Sequence, residues 1–143
     1  MSADRHPDVA RIAAFDTWVE NQDRHTGNFL RTKAGDYVPI DNELVLYTMI
    51  WLAKGFTYAH NSLREQAKLR LKNPGYSKFE ISMMLASKQH ETALLAVTPT
   101  LQQFITTMVG DPVQGPATAS DILRFLEQRA HPDWLANELG LIP

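Results

Sequence analysis

Asp23-Arg24-His25-Thr26-Gly27-Asn28, then Phe29-Leu-Arg-Thr32, Lys33-Ala-Gly-Asp36 and Tyr37-Val-Pro-Ile-Asp41, is the stretch on which the fold turns. The first six residues belong to a polar run that contains Gly27, which predicts a loop. Phe29–Thr32 and Tyr37–Ile40 flank a turn-forming tetrapeptide, which predicts a short β-hairpin. Pro39 cannot donate to a ladder, so its strand is an edge or is irregular. The hairpin therefore delivers Asp41, with Asn42 and Glu43, after a loop that already carries Asp23, His25 and Asn28.

Outward from this stretch the pattern is helical. Val9, Ile12, Ala13, Phe15, Trp18 and Val19 recur at close to helical spacing behind Pro7, which predicts a helix over about residues 7–21. Glu43–Lys54 is apolar on most faces and predicts a buried helix. Leu63–Leu71 and Lys78–Val97 follow as helices, with Pro99 beyond the end of the second. Leu101, Phe104, Ile105 and Met108 give another apolar stripe, stopped by Gly110 and Pro112. Asp111–Ala117 is expected to be a loop, Ser120 an N-cap, and Pro132–Leu135 the start of a short last helix. The expected fold is mainly α with one hairpin, a single domain over 1–143.

Composition excludes several classes. With 44% hydrophobic and 21% charged residues the chain is expected to fold. It has no cysteine, which rules out disulfides, thiolate catalysis and cysteine-ligated metals. A net charge of -2 offers no global basic field for nucleic acid. Met1–Val9 has acids and no apolar core, and the apolar run Leu44–Ala53 is far short of the roughly 20 residues a bilayer needs, so a cytoplasmic protein with no membrane contact is expected.

Two expectations stand for 23–41: a polar turn whose Asp and Asn side chains cap neighbouring backbone groups, with Asp41 a turn or N-cap residue, or a phosphoryl-transfer site. Such a site needs a group that orients the attacking hydroxyl, plus an amide oxygen and a carboxylate for Mg2+ on the nucleotide phosphates. In the protein-kinase pattern the base Asp precedes the metal-binding Asn by five residues, the spacing of Asp23 and Asn28. The run Phe15-Asp-Thr-Trp-Val-Glu-Asn-Gln-Asp-Arg-His-Thr-Gly-Asn-Phe-Leu30, with Val38-Pro-Ile-Asp41, resembles the catalytic and metal-binding loops of the HipA-like kinases. That group is similar to the phosphatidylinositol-type kinases, which share Asp-Arg-His-x-x-Asn.

The resemblance is carried by about residues 10–45 and implies a helical kinase-like C-lobe. It implies Asp23 as catalytic aspartate and Asn28 and Asp41 as Mg2+ ligands. His25 either supports the loop or assists proton transfer, and Arg24 is either a loop-stabilising or a phosphate-facing cation. ATP with Mg2+ is the implied cofactor, a protein Ser/Thr the implied acceptor, and a separate N-lobe or an antitoxin-like protein the implied partner. The family's metal Asp is commonly followed by one residue and then Gly, whereas here it precedes Asn42-Glu43.

Only 22 residues precede Asp23, all six lysines follow it, and no glycine-rich phosphate motif occurs, so the N-lobe is expected to be absent. Two further expectations compete: a non-catalytic binding or regulatory protein derived from a kinase C-lobe, and a weak nucleic-acid or anionic-partner binder using Arg64–Lys88. In that segment Arg64, Lys68, Arg70, Lys72, Lys78 and Lys88 face only Glu65 and Glu80, and a solvated helix face is the plainer expectation. Trp18, Trp51 and Trp134 are expected to be packing anchors, and His6, His60, His90 and His131 stand at no ligand spacing.

Overall fold

Pro7 occupies the first helical position, where its missing N–H removes no bond, and opens α1 (Pro7–Trp18) in the computed structural model, which describes residues 6–57 and 60–142. His6 caps this helix, its Nδ1 accepting from the Asp8 N–H at 3.3 Å. The reading of Met1–Val9 as non-secretory rests partly on residues 1–5, which lie outside the described residues. Among the described residues no helix is long and apolar enough to cross a membrane.

The chain divides into two compact units, Met1–Ser87 and Lys88–Pro143. Their boundary falls in a short turn at Lys88-Gln89 that carries neither Pro nor Gly. In the first unit α1 is followed by β1 (Phe29–Arg31), β2 (Tyr37–Pro39), α2 (Leu63–Arg70) and α3 (Gly75–Ser87). The strands pair antiparallel with Phe29 opposite Pro39 and Arg31 opposite Tyr37, so Pro39 does lie in an edge strand. Val9, Ile12, Ala13 and Trp18 are buried on α1, which packs on α3 and its buried Phe79 and Met83. Burying a side chain such as Met83, at 0% exposure, contributes about 1.5–3 kcal/mol. The described residues are mainly helical with a single two-stranded hairpin, as the sequence pattern predicts.

In the second unit α4 (His90–Val109) packs on α5 (Gln114–Ala130), and α6 (Trp134–Glu138) follows. α5 buries Ala119, Ile122, Leu123, Leu126 and Ala130, the spacing of one helical face. Arg129 stacks its guanidinium 4.1 Å from the Phe125 ring centroid and 4.9 Å from that of Trp134.

Three helix expectations are corrected. Glu43–Lys54 is not a buried α-helix: it forms turns and a π-helical turn at Thr48–Leu52, and within it only Leu44 is buried. Leu46 is held at φ 54°, outside helical space, because its N–H donates to the Val19 carbonyl at 2.7 Å. The helix expected over Lys78–Val97 is two, α3 and α4, parted by the turn at Lys88-Gln89, and Pro99 lies inside α4 rather than beyond a helix. The carbonyl it leaves without an N–H belongs to Leu95, a residue that is 72% exposed. Ser120 is not an N-cap and Asp111–Ala117 is not all loop, since α5 starts at Gln114. The Asp111 carboxylate supplies the cap, accepting from the N–H groups of Val113 at 2.9 Å and Gln114 at 2.7 Å. These bonds hold its carboxyl below the ordinary value.

His90, buried at the start of α4, has its imidazole pushed down to about 4 from 6.5 by burial. The unfolded chain therefore takes up this proton at a pH where the folded chain does not. Stability of the second unit is expected to fall as pH drops from 6.5 toward 4, and His90→Gln to flatten that slope. Melting curves of both proteins across the interval check this; parallel slopes would contradict it.

Candidate active site

The loop after α1 is built by side chains bonding to backbone. Asn21 donates from its N–H to the Asp16 carbonyl at 2.8 Å and from Nδ2 to Asp16 Oδ1 at 3.2 Å. Its own Oδ1 then accepts the Asp23 N–H at 3.2 Å. Residues 22–24 next pair with Asn61: the Asn61 N–H donates to the Gln22 carbonyl at 2.9 Å and the Arg24 N–H to the Asn61 carbonyl at 3.0 Å. Asn61 Nδ2 donates to Asp23 Oδ1 at 3.3 Å, which orients that carboxylate. Gln66, on α2, fixes the arrangement by donating Nε2 to the Arg24 carbonyl at 2.8 Å and to Asn61 Oδ1 at 3.2 Å.

A single helical turn at Thr26–Asn28 completes the loop. His25 is exposed, and its Nδ1 accepts the Gly27 N–H at 3.0 Å while its carbonyl accepts the Asn28 N–H at 2.9 Å. Of its two expected roles the geometry shows the supporting one. A Cβ at Gly27 would stand 2.9 Å from His25 Cε1, so Gly27→Ala displaces the imidazole and loses the cap. That loss is expected to cost about 1 kcal/mol in the native protein and clearly less in a His25→Ala background. Equal losses in both backgrounds, measured by urea unfolding, would remove His25 from the turn's support.

Asn28 is buried, and its Nδ2 donates to the Asp23 carbonyl at 3.0 Å. This commits the amide nitrogen and leaves Oδ1 as the side chain's electron-pair donor. The hairpin then returns the chain to its start, since the Ile40 N–H donates to the Asn28 carbonyl at 3.0 Å. Asp41 is therefore set beside the loop, in left-handed conformation at φ 57°. Asp tolerates this region better than most residues, and such strain is held only where surroundings over-determine it.

Arg24 is what over-determines it. The guanidinium is at 0% exposure and forks onto Asp16, Nε to Oδ2 at 2.9 Å and Nη2 to Oδ1 at 2.8 Å. Nη1 donates to the carbonyls of Ile40 at 2.6 Å and Asn28 at 3.3 Å, with Asp41 at 3.5 Å, and Nη2 also meets Asn42 Oδ1. One side chain thus ties α1, the Asp23–Asn28 loop and the Asp41 segment together. Its fully buried donors make it the brace of the two loops, and the phosphate-facing, cofactor-binding alternative is corrected on that ground. Burial pushes the Asp16 carboxyl above its ordinary value, with Arg24 and Asn21 opposing.

Asp23 and Asp41, 18 positions apart in sequence, line one small pocket of about 130 Å³ with Glu43, Leu44 and Trp51. Trp51, expected as a packing anchor, is half-buried and lines this pocket. Asn28 is not among the residues that line this pocket. Its Oδ1 and the Asp41 carboxylate are each hard oxygens of the kind Mg2+ takes, and Mg2+ sites use one or two carboxylates with the remainder from phosphate and water. No group of three or more His, Cys, Asp or Glu able to hold a metal occurs among the described residues.

Asp16, Asn61 and Gln66 are the site residues that the sequence reading passes over. Asp16 was findable, since it lies four residues from Ile12 and seven from Val9, on the apolar face of α1 where a carboxylate needs a partner. Asn61 and Gln66 carry no such signal. Comparisons with family models, curated proteins and solved structures return no match.

Proposed function

We propose that residues 16–43 form the catalytic and metal-binding loops of a HipA-like kinase C-lobe that takes part in Mg2+·ATP-dependent phosphoryl transfer to a protein Ser/Thr. The observation that carries this is that Asp23 and Asp41 line one pocket, with Asn28 bonded to the Asp23 carbonyl. Asp23 would accept or orient the proton of the attacking hydroxyl, oriented itself by Asn61. Asn28 and Asp41 would hold Mg2+, which supplies charge neutralisation at the nucleotide phosphates. Because no glycine-rich phosphate motif occurs in these 143 residues, the covering lobe is proposed to come from outside them, as a split subunit. The proposed setting is cytoplasmic, with that lobe or an antitoxin-like protein as partner.

Calorimetry of Mg2+·ATP on the native protein and on Asp41→Ala, with γ-phosphate transfer measured in parallel, tests this. Binding that is lost in Asp41→Ala supports the reading. Binding without transfer by the reconstituted pair favours a regulatory C-lobe instead, and absence of nucleotide binding with the partner lobe supplied would reject both.

A further inference from the structure

A cleft of about 710 Å³ opens in the first unit between the start of α1, the end of α2 and the start of α3. That volume lies within the range of small-molecule sites. Ala10, Leu71 and Phe79 give it apolar wall, while Arg70, Lys72 and Lys78 bring three cations to it. Among its described lining residues none is Asp or Glu, in a chain where acids outnumber bases 16 to 14.

Local structure explains why the cations gather here. α2 ends at Arg70, the Gly75 N–H closes a turn onto the Lys72 carbonyl at 2.6 Å, and α3 begins, its Lys78 N–H bonding the Pro74 carbonyl at 3.1 Å. A tight corner between two helices thus sets charges from the end of one and the start of the next around one opening. The corner is firm, because α3 packs on α1 and buries Phe79 and Met83.

The Arg64–Lys88 strip is therefore not uniform. Arg64 is neutralised, Nη2 meeting Glu80 Oε1 at 3.2 Å and Nε the Tyr76 hydroxyl at 3.3 Å. Lys72 and Lys78 pair with no carboxylate among the described residues. Two exposed like charges held at one cleft repel each other, and an anion that bridges them relieves this. A phosphate dianion, with three acceptor oxygens, suits converging cations better than a single carboxylate does.

We propose that this cleft binds a phosphate-bearing small molecule, its phosphate between Lys72 and Lys78 beside Arg70 and its apolar body along Ala10, Leu71 and Phe79. The cleft shares no lining residue with the Asp23–Asp41 pocket and the proposal does not depend on phosphoryl transfer.

The test is calorimetry on the full chain at low salt with two probes, inorganic phosphate and phenyl phosphate. Phenyl phosphate is expected to bind about tenfold more tightly than inorganic phosphate, and Lys72→Gln with Lys78→Gln to weaken it by about tenfold or more. Both lysines are exposed, so the double variant is expected to keep its far-UV spectrum. Lys33→Gln, in the hairpin turn, is expected to bind as the native chain does. Equal affinity for the two probes, no binding of phenyl phosphate at millimolar concentration, or equal weakening by Lys33→Gln and by the double variant would each overturn the assignment.

Discussion

Arg24→Met is expected to destabilise the first unit by about 3–5 kcal/mol, a large share of the 5–15 kcal/mol available to a typical domain. The change removes a guanidinium at 0% exposure and leaves the Asp16 carboxylate, at 5% exposure, without its ion partner. It also strips donors from the Ile40 and Asn28 carbonyls. Adding Asp16→Leu removes the stranded charge, so the double variant is expected to lose less than the sum of the two single losses, by about 0.5–3 kcal/mol.

The single variant should also show a characteristic pH dependence. Without Arg24 the buried Asp16 carboxyl rises further above its ordinary 3.8, so the folded state holds its proton to higher pH than the unfolded state does. The loss is therefore smallest below about 3.8 and grows as pH rises through the elevated folded value. Urea unfolding followed by far-UV circular dichroism at several pH values reads both effects. A loss under about 1 kcal/mol with strict additivity would show that Arg24 does not brace the loops.

Asp23→Asn is expected to lower phosphoryl transfer by about 10²–10⁴-fold in the presence of the covering lobe, with Mg2+·ATP affinity nearly retained. The carboxylate accepts from Asn61 Nδ2, and an amide keeps that bond through its oxygen. Asp41→Asn is expected to do the reverse. On the proposed reading it replaces a charged carboxylate donor with a neutral amide oxygen, so the dependence of ATP affinity on Mg2+ should weaken, and transfer should fall with it. Titrating ATP with and without Mg2+ and measuring initial rates at saturating nucleotide separates the two roles. If both substitutions lower affinity alike and leave the rate at saturation unchanged, Asp23 has no part in proton handling.

The hairpin was legible because its signals are local: turn-forming Lys33–Asp36 between two short β-prone runs, and the strands form at 29–31 and 37–39 as expected. α1 was legible for the same reason, in its Pro7 start and its apolar period, and the structure ends it at Trp18, three residues before the expected 21. Glu43–Lys54 was misread because its apolar residues, Leu44 apart, stay half-buried or exposed instead of packing as one helical face, and the bond from Leu46 to Val19 takes the backbone out of helical space. α5 was begun too late because Ser120 is a good cap by type, while the cap in use is the carboxylate of Asp111, nine residues earlier.

For the site, sequence alone nominated Asp23, Asn28 and Asp41 by residue type and spacing within 19 positions, and the structure brings Asp23 and Asp41 to one pocket. The tertiary structure decided what each neighbour does. Arg24 could face a phosphate or brace the loop until its surroundings were known, because a guanidinium serves either role. Burial resolves it, since Asp16, eight residues earlier, and Ile40 and Asn42, sixteen and eighteen later, converge on one buried fork. Asn61 shows the same limit at 38 residues' separation from Asp23. Local hydrogen-bonding preference is written into a few adjacent residues, whereas the partner of a buried charge is fixed only when distant segments have packed.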